Sequence, residues 1–115
     1  MSKGLKHIKP GLNQQTRLEK IHSVIFKNSK SASKLIAREI ADLILYKQKK
    51  NEKCILGLAT GSSPISIYNE LVNIHHNENL SFKNVVTFNL DEYYPISKKN
   101  KKSYHSFMNH YLFSH

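Results

Sequence analysis

Three short apolar runs and three stretches with helical spacing alternate along the chain. Ser23-Val24-Ile25-Phe26 is apolar and bounded by polar residues, which suits a buried strand. Asn28, Ser29 and Ser31 then offer caps for a helix from about Ser31 to Gln48. Its apolar positions Ala32, Leu35, Ile36, Ile40, Leu43 and Ile44 fall three and four apart and define one face. Lys47, Lys49 and Lys50 gather at its end, where positive charge suits the helix dipole. Cys54 to Leu58 reads as a second strand, and a loop from Ala59 to Ser63 leads into a helix from Pro64 to about His75, with Ile65, Tyr68, Leu71 and Val72 along one side. Val85 to Leu90 is the third strand, and its nearly continuous apolar character predicts burial on both faces. Ser103 caps a last helix whose core face is Phe107, Met108, Tyr111 and Leu112. The order predicts an α/β domain, a parallel Rossmann-like sheet of three strands, βαβαβα, with helices on both faces.

Residues 1–21 lack sustained periodicity and turn at Pro10-Gly11, so they read as a leader to a domain over 22–115. A chain of 115 residues supports one core, not two. The formal charge of +10 raises nucleic acid as a partner. Against it, the lysines are spread over loops and helix ends, and Arg17 and Arg38 are the only arginines, although arginine is the residue suited to bidentate phosphate and base contacts. A small anionic substrate or a Lys/Asn-biased composition accounts for the charge equally well. The run Lys98-Lys99-Asn100-Lys101-Lys102 reads as a solvated loop. Cys54, the single cysteine, excludes an intrachain disulfide and falls in a strand expected to be buried. With no signal-like segment and no apolar stretch of spanning length, the expected compartment is the cytoplasm, without a membrane partner. The histidines have no acidic companions at ligand spacing, so no metal site is expected.

The chemistry concentrates in two places. Thr60-Gly61-Ser62-Ser63 sits between a strand and a helix opened by Pro64, with Ser63 placed to cap. N–H groups at a helix start have no partner within the helix and carry the positive end of its dipole, so such a turn can hold phosphate. The alternative is an ordinary turn whose hydroxyls only cap. Neither the Walker spacing nor the dinucleotide fingerprint is present, which disfavours a nucleotide. Loops that follow parallel strands emerge at one sheet edge, so Asp91-Glu92 opens onto the same crevice as Thr60 to Ser63. A carboxylate beside a bound phosphate suits a general base. Neighbours alternate along a strand, so one of the two faces the crevice while the other bonds a helix or solvent.

Leu56-Gly57-Leu58-Ala59-Thr60-Gly61-Ser62-Ser63-Pro64, Ser81 to Tyr93 with its Asn-Leu-Asp-Glu-Tyr ending, and Ser103-Tyr104-His105-Ser106-Phe107-Met108 together resemble the glucosamine-6-phosphate deaminase/isomerase family. The resemblance implies conversion of glucosamine 6-phosphate and water to fructose 6-phosphate and ammonia, with no redox cofactor and no obligatory metal. It implies that Asp91 is the proton acceptor for enolisation, with Glu92 in support, and that Thr60, Gly61, Ser62 and Ser63 hold the substrate phosphate. A homo-oligomer is implied for the full-length enzyme. The family's later Gly-His-Ile-Ala-Phe-Asn-Glu region, with its ring-opening histidine, has no counterpart here, so the chain resembles the N-terminal part of the domain and is expected to be inactive alone. A non-catalytic sugar-phosphate-binding remnant and a 6-phosphogluconolactonase-like hydrolase stand as alternatives.

Overall fold

A computed structural model describes residue 21 and residues 23–115. The leader expected over 1–21 lies, apart from Ile21, outside the described residues. Helix α1 spans Ser29–Lys49, β1 Cys54–Leu58, α2 Ile65–Glu78, β2 Val85–Asn89 and α3 Tyr104–Met108, which runs on into a π-helical turn over Asn109–Phe113. The strands pair in parallel, with Cys54 opposite Val85 and Leu58 opposite Asn89. Two parallel strands joined through a helix confirm the α/β, Rossmann-like expectation.

Two details of that expectation are corrected. Ser23 to Phe26 forms no strand: Ile25 is exposed, and no described strand completes a ladder with this run. A short apolar run extends as a strand only where a neighbour takes up its backbone groups. The described helices also cover one sheet face rather than both. Cys54 and Leu58 of β1 are buried, whereas Ile55 is 66% exposed, and Phe88 of β2 is 62% exposed. Successive strand side chains alternate between faces, so Ile55, Val86 and Phe88 mark an open apolar face instead of the doubly buried strand read from composition.

The core lies between the covered face and the helices. Asn28 caps α1, its Oδ1 accepting from the Ser31 N–H at 2.9 Å. The buried face of α1 is Ser33, Ala37, Ala41 and Ile44, rotated from the expected stripe, for Ile36 and Leu43 are exposed. Small residues at Ser33, Ala37 and Ala41 allow α2 to approach closely and to fill the space with Tyr68, Leu71 and Ile74. Larger Ile36 and Leu43 would hold the helices apart. Met108, from α3, is buried in the same cluster, with Phe107, Tyr111 and Leu112 partly buried against it. The Cys54 thiol is buried here and free, its pKa raised by burial against a smaller lowering by Lys47. His75, expected at the surface, is half-buried, with Nδ1 2.6 Å from the Leu80 carbonyl and its ring against Phe82.

Candidate functional site

The register places the site. Leu58 and Asn89 are paired, so Thr60 and Asp91 each stand two residues beyond the last rung, at the same edge of the sheet. Asn89 Nδ2 donates to the Leu58 carbonyl at 2.8 Å and ties the two strand ends together. The Tyr68 hydroxyl donates to the Ala59 carbonyl and holds the start of the loop. Ser33 Oγ, buried on α1, lies 2.6 Å from Ser66 Oγ and fixes the first turn of α2. The loop is thus framed from three sides.

Gly61 is at φ +99°, a backbone conformation that side-chain-bearing residues rarely adopt. The helix begins one residue later than expected: Pro64 occupies the N-cap position, and no side chain caps it. Ser63 therefore leaves the cap role predicted for it. A proline cap has no side-chain acceptor to offer the first turn; the Ile65 N–H bonds the Ser62 carbonyl at 3.4 Å, and those of Ser66 and Ile67 have no partner within the helix. Gly61, Ser62 and Ser63 are exposed and Thr60 is half-buried.

Asp91 and Glu92, both exposed, lie beyond the end of β2 at Asn89, so strand alternation does not divide them, and neither lines the cleft between the loops. Glu92 is bound up in the fold. Its Oε1 accepts from the N–H groups of Tyr93 at 3.0 Å and Tyr104 at 2.9 Å, and its Oε2 accepts from His105 at 3.1 Å. The Tyr104 N–H, followed by those of His105 and Tyr93, pulls the Glu92 carboxyl below the usual value of 4.5 against a smaller effect of burial. Ser103 shares the work at the same helix start, accepting from the Ser106 N–H at 3.0 Å, as expected of it. Glu92 thereby brings α3 against the end of β2.

A depressed carboxylate pKa contributes stability that is present above the unfolded value and lost as pH falls through the folded one. Protection of the Tyr104 and His105 amides against hydrogen exchange is therefore expected to fall once the pH drops below 4.5. Glu92→Gln should show the low protection already at pH 7, since a neutral amide oxygen accepts more weakly. Equal protection in both chains at pH 7 would show that Glu92 does not hold this helix.

Between the two loops lies a cleft of about 630 Å³, lined by Thr60, Gly61, Tyr93, Ile96, Lys101, Lys102, Ser103, Tyr104 and Phe107. Tyr93 and Tyr104 stand with ring centroids 5.1 Å apart and form one wall. The Tyr104 phenol is raised in pKa, first by the Tyr93 hydroxyl beside it, then by burial, the Tyr93 charge and Asp91, with Thr60 acting in the opposite sense. One phenol thus senses both Thr60 and the Asp91 carboxylate. Ser62, Ser63 and Asp91 do not line the cleft itself. A second cavity of about 250 Å³, between α2, β2 and the terminal turn, contains none of the expected site residues. Among the described residues, no three His, Cys, Asp or Glu side chains converge on a metal position, and no helix is long and apolar enough to cross a membrane.

Sequence reasoning missed Asn89, Tyr68 and Ser33 as supports of the loop, and the Tyr93–Tyr104 wall. Tyr68 carried a signal: a tyrosine on a buried helical face must find a partner for its hydroxyl.

No family model matches the chain. Glucosamine-6-phosphate deaminase of Colwellia psychrerythraea is 48% identical over 92 residues, covering 80% of this chain and 33% of that enzyme. The enzyme of the same name from Clostridium acetobutylicum is 48% identical over 81 residues, 70% of this chain and 32% of the relative. A solved structure of a monomeric glucosamine-6-phosphate deaminase, described as a missing link of the NagB superfamily, matches with TM-score 0.72 and 41% identity over 78% of this chain and 36% of its own. The chain spans about a third of the length of the curated relatives it matches. Over about four-fifths of its length the chain is similar in sequence and fold to the matching third of glucosamine-6-phosphate deaminases.

Proposed function

We propose that the chain is the phosphate-anchoring and enolising portion of a glucosamine-6-phosphate deaminase, acting on a phosphosugar in the cytoplasm. The observation that carries this reading is the register that sets Thr60 and Asp91 at one sheet edge beside an uncapped helix start. Thr60, Gly61, Ser62 and Ser63 would hold the 6-phosphate through hydroxyls and backbone N–H groups. That anchor leaves the opened sugar's C1 and C2 to reach Asp91. Asp91 removes the proton from C2 and returns it to C1, which converts the 2-amino aldose to a 2-imino ketose. Water then adds to the imine carbon and ammonia departs, giving fructose 6-phosphate. Glu92, engaged by three N–H groups, serves this chemistry by placing α3 rather than by touching substrate.

No histidine lines the cleft among the described residues and Asp91 stands outside its lining, so no ring-opening acid–base is found there. The same observation supports a second reading, a phosphosugar-binding module without turnover. Both predict saturable binding of glucosamine 6-phosphate by the purified 115-residue chain, measured calorimetrically, and they part on ammonia release, which the module never gives. Ammonia release that disappears in Asp91→Asn would establish catalysis by this chain and discard the module. Absence of any saturable binding would discard both.

A further inference from the structure

The lysine run is exposed, as expected of a solvated loop. Its backbone is tied down. Ser103 is buried, and its Oγ donates to the Lys98 carbonyl at 3.1 Å, as does Ser106 Oγ at 2.9 Å. Asn100 Oδ1 accepts from the Lys102 N–H at 2.9 Å, and the Asn100 carbonyl accepts from the Ser103 N–H at 3.0 Å. Within this held loop Lys101 and Lys102 line the cleft shared with Thr60 and Gly61, whereas Lys98 and Lys99 do not. Neither Lys101 nor Lys102 has a carboxylate within ion-pair distance among the described residues. On the adjoining loop, Glu92 is already shared among three backbone N–H groups.

We propose that Lys101 and Lys102 are the cationic side of the phosphate site, so that a phosphomonoester dianion sits between their ammonium groups and the Thr60–Gly61 turn. The proposal rests on the reading of that turn as the phosphate anchor and adds the groups that neutralise the ligand's charge. A backbone turn supplies directed N–H donors but only partial positive charge. A dianion entering it gains from full charges nearby, and lysine acts as such a point charge on a flexible stem.

The test is calorimetric titration of the 115-residue chain with inorganic phosphate, with glucosamine 6-phosphate and with unphosphorylated glucosamine, at low and high salt. Four proteins are compared: the unmodified chain, Lys101→Gln/Lys102→Gln, Lys98→Gln/Lys99→Gln and Thr60→Val, each checked by circular dichroism. The Lys101/Lys102 double variant should lose about tenfold or more in affinity for both phosphate ligands and most of the salt dependence. The Lys98/Lys99 variant, with the same change in net charge, should stay within about twofold. Equal losses in the two doubles would reduce the effect to overall charge and overturn the proposal. If Thr60→Val abolishes phosphate binding while Lys101→Gln/Lys102→Gln does not weaken it, the proposal falls and the phosphate-turn reading stands. Glucosamine binding as tightly as its 6-phosphate would overturn both.

Discussion

Replacing Gly61 by valine is expected to weaken glucosamine 6-phosphate binding by about a hundredfold while costing the fold no more than about 1–3 kcal/mol. The two numbers separate because the residue is special for its backbone and not for its surroundings. A Cβ placed at Gly61 meets nothing within 4 Å, so no neighbour is displaced. The φ of +99° is the obstacle, and a β-branched side chain suffers most there. The loop responds either by bearing the strain or by turning to a permitted φ. Turning is open to it because its tip is exposed and carries no core contact. The turn then carries the N–H groups away from the ligand, and each charge-assisted hydrogen bond lost costs about 1.5–3 kcal/mol of binding. Titration calorimetry reads the affinity and a thermal melt reads the fold. A Gly61→Val chain that binds as tightly as the original would mean that the phosphate is not held on this backbone.

The parts of the molecule legible in the sequence are those decided by short-range rules. Asn28 and Ser103 cap helices as their side chains and positions predict, and β1 and β2 follow from apolar runs bounded by polar residues. The shared edge of Thr60 and Asp91 follows from topology alone, because loops after parallel strands emerge together. What periodicity could not supply was the choice between rival apolar faces. On α1 the large residues Ile36 and Leu43 suggested the core stripe, yet the close approach of α2 selects Ser33, Ala37 and Ala41. Hydrophobicity ranks residues by transfer from water, whereas helix contact also depends on how small a residue is. Ser63 illustrates a second limit. As a residue type it is a good cap, but capping depends on one backbone angle pair, and the proline beside it takes the position. Which lysines border the cleft was hidden because a charge run says nothing of how a folded loop disposes them. That choice depends on Ser103 and Asn100, whose bonds close only in three dimensions.

The same chemical change should have opposite consequences on the two sides of the sheet. Leu71→Ala, at a side chain with no exposed surface between α1 and α2, is expected to destabilise the chain by about 3 kcal/mol, measured by urea unfolding. The loss combines the transfer of the missing methyl groups with a cavity that the surrounding Tyr68, Ile74 and Met108 can close only in part. Since domains of this size are stable by only about 5–15 kcal/mol, this removes a large share of the total. Ile55→Ala removes a similar amount of hydrocarbon from the adjoining strand, but from a residue 66% exposed, and should cost less than about 1 kcal/mol. The contrast identifies which face is the core of this chain in solution. Were Ile55→Ala as damaging as Leu71→Ala, the face carrying Ile55, Val86 and Phe88 would have to be covered in solution, because a side chain already in water has little burial to lose. A concentration-independent Ile55 cost would then place the cover within the same polypeptide, and a cost that rises with protein concentration would place it on a second molecule.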